Sequence, residues 1–124
     1  MKKSPEEQLQ EALEEIENDP RVTSTYGEDG RLIERTVALS EMIEIRRKGS
    51  RESESVRSLT FRRPRGKDWL IMDSHEGEIA KSYALAAALA DITFKTLTEM
   101  DGDDAMLCVK VAGAMGKGSQ TGGI

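Results

Sequence analysis

Four short stretches of this chain carry residue types able to do chemistry, and spacing decides what each can do. Asp73, His75, Glu76 and Glu78 cluster in DSHEGE and could touch a divalent cation, but zinc takes a fixed set of three or four ligands and His75 is the sole histidine. His75 reads most simply as a solvated residue in a polar link between helices. Asp101, Asp103 and Asp104 hint at a calcium loop. The later ligand positions are missing and an apolar run begins at once, so they read as the negatively charged start of a helix. Gly113 to Ser119, GAMGKGS, invites comparison with a phosphate loop, yet its glycine spacing is wrong, a glycine stands where the magnesium-binding hydroxyl belongs, and a helix precedes it. Cys108, the single cysteine, lies in AMLCVKV and reads as a small buried hydrophobe. No serine, cysteine or lysine is paired with a base and an orienting group, so the reading is not an enzyme, with no cofactor and no metal.

What remains is charge and apolar surface. The formal net charge of -5 conceals a basic middle: residues 37–75 hold 9 basic and 6 acidic groups, against 5 and 10 in residues 1–36 and 4 and 7 in residues 76–124. Arg46, Arg47, Lys48, Arg51 and Arg57 precede a denser corner, Arg62, Arg63, Arg65 and Lys67. Nucleic-acid contact is the weaker reading of this corner, because stacking aromatics are few and no helix-turn-helix or single-strand platform is evident. Acidic protein partners, or self-association through opposite patches, fit the uneven charge better.

The elements that must position these residues are legible in outline. Ser4, Pro5 and Glu7 mark a helix start with a capping box, and Leu9, Ala12, Leu13 and Ile16 form a thin apolar stripe on an acidic helix ending before Asp19 and Pro20. That stripe could cover the chain's own core, pair with another copy or dock onto a larger protein. Residues 22–26 look extended, GEDG signals a turn, and a small hairpin is possible there. Val37, Leu39, Ile43 and Ile45 then alternate on one face, interrupted by Glu41, and residues 55–63 alternate as a second strand carrying Leu59 and Phe61. Pro64 lacks an amide hydrogen and biases Arg63 toward extended backbone, so it ends that strand.

Beyond Pro64 the period becomes helical. GKDWLIMD reads as a short helix with Trp69, Leu70 and Met72 available for packing. A longer helix spans about Glu76 to Ala90, with Ile79, Tyr83, Ala86, Ala87 and Ala90 near one side and Leu85 and Leu89 widening the stripe. Thr93 caps a short turn or helix bearing Phe94, Leu97 and Met100, and Asp101 starts a final helix packed through Ala105, Cys108, Val109, Ala112 and Met115. The fold class is α+β: an antiparallel β-hairpin followed by a cluster of about three helices, with an additional acidic N-terminal helix. The expected division is 1–36 as helix and extended segment, 37–116 as the main domain and 117–124 as a flexible tail.

Three of these segments, TVALSEMIEI, SLTFRRPRGKD and ALAAALADITFKTLTEMDGDDAMLCVKVAGAMG, occur in an order that resembles the phage tail assembly chaperone family of contractile-tailed, Mu-like temperate phages. Leu59, Arg62, Arg63, Pro64 and Asp68 match its signature, and Leu97 with Asp101 matches a later turn. The likeness covers about residues 37–116. It implies a non-enzymatic chaperone that binds the tape-measure protein, keeps its long hydrophobic helices soluble and helps tail tube protein polymerise around it. A self-associating phage structural or adaptor protein is the alternative. The expected partner surface is Trp69, Met72, Tyr83, Leu85, Leu89, Met106 and Met115, with Arg62, Arg63, Arg65 and Lys67 as an electrostatic rim; a homodimer or larger oligomer is a further expectation. The absence of a signal sequence and of a membrane-spanning apolar run points to the host cytoplasm.

Overall fold

The computed structural model of the 124-residue chain describes residues 3–47 and 49–121. The first helix begins where its capping residues place it. Ser4 accepts a hydrogen bond from the Glu7 amide at 3.2 Å, and α1 runs Pro5–Asn18. Asp19 then accepts from the Arg21 amide at 2.9 Å and from its guanidinium at 3.1 and 2.9 Å, turning the chain into β1, Val22–Tyr26. The GEDG signal makes the next reversal: Gly30 sits at φ 80°, a left-handed conformation that costs a residue without a Cβ little, and Gly27 donates to the Arg31 carbonyl at 2.8 Å.

The chain continues as β2, Leu32–Ile45, and returns as β3, Glu54–Arg62. The three strands form one antiparallel sheet in the order β1-β2-β3, so both anticipated hairpins exist and share β2. The boundary expected between residues 36 and 37 falls inside this strand. The early part of β2 escapes the alternation rule because Arg35, a buried cation, occupies an inward position opposite Phe61. Further along, Ala38 pairs with Ser58 and Ile43 with Val56, so residues 39–42 lie opposite Arg57 alone. This bulge is the physical origin of the interruption at Glu41.

Pro64 follows β3, and the described residues continue with four helices: α2 Gly66–Met72, α3 Glu78–Ala90, α4 Phe94–Glu99 and α5 Gly102–Thr121. The third starts two residues later than the apolar spacing suggests, because Gly77 holds φ 88° and cannot belong to a right-handed helix. It stops at left-handed Asp91, with the Ile92 amide donating to the Ala87 carbonyl at 3.0 Å. Thr93 caps α4, its hydroxyl accepting from the Thr96 amide at 3.1 Å. α5 continues through residues 117–121, which were expected to be a flexible tail; glycines lower helix propensity by about 1 kcal/mol each without forbidding the conformation. Residues 122–124 of that tail lie outside the described residues.

The architecture is therefore α+β, with an N-terminal helix, a three-stranded antiparallel sheet and a helical cluster. α3 and α5 pack on each other and on the inner sheet face, where Val37, Ile45, Leu59 and Phe61 are buried. Ala86 and Ala112, almost without exposed surface, let the two helices approach closely. No described helix is long and apolar enough to cross a membrane.

Candidate protein-docking surface

Three charged side chains are buried among the described residues, and each pins a helix to the sheet. Arg35 on β2 donates to Glu17 of α1 at 2.7 Å and to the Ser24 hydroxyl at 3.2 Å, and its guanidinium lies 3.7 Å from the Met115 sulfur of α5. Burial alone would raise the Glu17 pKa, but hydrogen bonds from Arg35 and Ser24 and the charge of Arg35 outweigh it and leave the carboxyl below its ordinary value. Asp104, in the first turn of α5, accepts from the Ser40 amide at 3.0 and 3.1 Å and from its hydroxyl at 2.8 Å. Those bonds hold the β2 bulge against the helix. The same carboxylate adds to the burial that pushes the Cys108 thiol up to about 12.

The third pin changes the meaning of the basic corner. Arg62 at the end of β3 donates to both oxygens of Asp68 at 2.8 and 3.0 Å, and the Arg65 amide donates to Asp68 at 2.6 Å. The Arg62 guanidinium holds the Asp68 carboxyl below the usual range, against the burial that would raise it, and Arg62 is raised in turn by its bond to Asp68. Arg62 also reaches the Ala88 carbonyl of α3 at 3.3 Å. Arg62, expected as part of a partner rim, joins β3, α2 and α3 while its side chain stays 37 % exposed. The rim that stays outward is Arg63, Arg65 and Lys67, all exposed and without an ion pair among the described residues.

The apolar residues expected to meet a partner separate in the same way. Leu85, Leu89 and Met115 are core side chains with no surface to offer, because α3 and α5 face the sheet along those positions. Met72 and Tyr83 are half-buried against the core. Trp69 is 46 % exposed and Met106 52 %. Leu70, read as a packing residue, is 70 % exposed, with Ile71 beside it at 40 %; Ile79, placed on the packing side of α3, is 76 % exposed. His75 is half-buried rather than solvated: its ring stacks on Phe94 at 4.8 Å, and Phe94 approaches Tyr83 at 6.3 Å. Among the described residues no three His, Cys, Asp or Glu side chains are grouped to hold a metal ion.

The stripe on α1 meets the core through Ile16 and, partly buried, Leu13. Ile16 is buried, while Leu9 and Leu13 line a groove of about 560 Å³ between α1 and α5 whose opposite wall includes Met106 and Gly113. The sequence signal for this groove is the thinness of the α1 stripe, which leaves too little apolar surface to seal against α5. Both the groove and the α2 corner offer apolar area edged by charge, which is binding chemistry. No family model, no curated protein and no solved structure matches this chain.

Proposed function

We propose that this protein is a non-enzymatic phage tail assembly chaperone that binds the tape-measure protein through its α2 corner during tail tube assembly. The observation that carries the reading is the α2 surface, where Trp69, Leu70 and Ile71 project beside Arg63, Arg65 and Lys67 while Asp68 is consumed internally by Arg62. A short apolar helix edged by cations suits long apolar helices flanked by carboxylates, shielding them while the charges keep the complex in solution. The resemblance in SLTFRRPRGKD supports the same assignment, and the Arg62–Asp68 bridge gives a structural reason for those residues to occur together.

The test is capture of the tape-measure product by wild-type protein and by the double variant Arg63→Gln, Arg65→Gln. Neither side chain is buried, so the variant keeps its thermal stability, and it should capture less with a flatter dependence on salt. Equal capture at every ionic strength would remove the corner from the binding surface.

A further inference from the structure

Two apolar surfaces of opposite charge stay at least partly open among the described residues. On α2, Trp69, Leu70 and Ile71 stand among Arg63, Arg65 and Lys67. The groove between α1 and α5 is apolar along Leu9, Leu13 and Met106, and its α1 side is acidic: Glu15 and Asp19 also border an adjoining depression edged by Glu11 and Glu14. Asp103 adds a further carboxylate at the α5 wall. Arg21 pairs with Asp19 and Lys3 with Glu11, so the carboxylates left without an ion pair among the described residues are Glu14, Glu15 and Asp103, against the one remaining groove cation, Lys110. No α2 residue lines the groove, and α2 packs on α3 whereas α1 packs on α5 and β1.

We propose that α2 of one copy docks into the α1–α5 groove of a second copy, a head-to-tail contact between the basic corner and the acidic helix. The apolar faces supply the attraction and the charges fix orientation, since the reverse pairings, α2 on α2 or groove on groove, bring like charges together. Each copy keeps one surface open, so the contact can propagate or close into a ring. The area of one seven-residue helix is below the standard interface of about 1,600 Å², which places the association at the weak, concentration-dependent end. This inference stands independently of the tape-measure reading. The two meet at one point: a chaperone assembled in this way hides its α2 until a partner displaces the neighbouring copy.

The test uses this protein alone. Lys67→Glu with Leu70→Glu destroys the docking helix at two exposed positions. Gly113→Arg is chosen to fill the groove: the position is exposed and a Cβ there meets nothing within 4 Å, so the backbone leaves room for a side chain to start into it. Sedimentation velocity should show wild-type protein associating as concentration rises, with affinity falling about tenfold when salt screens roughly three rim pairs. Each variant, folded by circular dichroism, should remain monomeric alone. Mixed, they should form a one-to-one dimer that grows no further, because each supplies the surface the other lacks. Wild-type protein that is monomeric at millimolar concentration, a variant that associates like wild type, or folded variants that fail to combine would each overturn the proposal.

Discussion

Replacing Asp68 by alanine removes the acceptor that joins β3, α2 and α3, and its cost can be worked from the contacts. The bridge to Arg62 is a charge-assisted interaction of about 1.5–3 kcal/mol net. Because the Arg62 side chain is 37 % exposed and regains water when its partner leaves, the low end, about 1.5 kcal/mol, applies. The bond accepted from the Arg65 amide is a helix cap worth about 1 kcal/mol. Asp68→Ala should therefore cost about 2.5 kcal/mol, lowering the urea midpoint by about 1.25 M for a denaturant slope near 2 kcal/mol per M. Asp68→Asn retains a capping oxygen and should lose about 1.5 kcal/mol. The pH dependence has a definite sign. Asp68 is held below its ordinary pKa in the folded chain, so its contribution is complete above the unfolded value of about 3.9 and disappears as pH falls through the folded one. The stability gap between wild type and Asp68→Asn should be constant near neutrality and close below about pH 4. A cost for Asp68→Ala under about 0.5 kcal/mol, or a gap indifferent to acid, would show that the bridge does not hold these elements together.

The other pins and the buried thiol give further outcomes. Asp104→Ala strands the Ser40 amide and hydroxyl and should cost about 2–3 kcal/mol, with faster hydrogen exchange at Ser40 than at Leu59. Glu17→Gln leaves the Arg35 guanidinium, whose side chain is 4 % exposed, without its counter-charge; thermal melts should fall at neutral pH and converge with wild type as acid protonates the native Glu17. Cys108, fully buried and with its pKa raised to about 12, should resist thiol reagents in the folded protein at pH 8 and react on unfolding; rapid modification of the native state would contradict its placement.

How much of this was legible follows from the range over which each feature acts. Local signals worked: Ser4 and Thr93 cap their helices, Gly30 turns the first hairpin, and the change of period at Pro64 separates strand from helix. Features set by partners distant in sequence did not show. Asp104 reads as a dipole-compensating residue until the fold brings Ser40 to it across 64 positions. Arg35 hides the start of β2, since an inward-facing cation breaks the apolar alternation and its partner Glu17 lies on another element. Arg62 and Arg63 are indistinguishable as residue types, and only the position of Asp68 one turn into α2 draws the first into an ion pair while the second stays unpaired among the described residues. Helical spacing likewise placed Ile79 and Leu70 with the core, though the first turn of α3 and the short α2 extend past what the sheet can cover.

The proposed chaperone role is tested by co-expression with a phage tape-measure protein encoded beside this chain. The two should co-purify in low salt, and the tape-measure chain should stay in the soluble fraction only when this protein is present with Trp69 and Leu70 intact. A well-folded wild-type protein that neither co-purifies with that chain nor reduces its aggregation would contradict it.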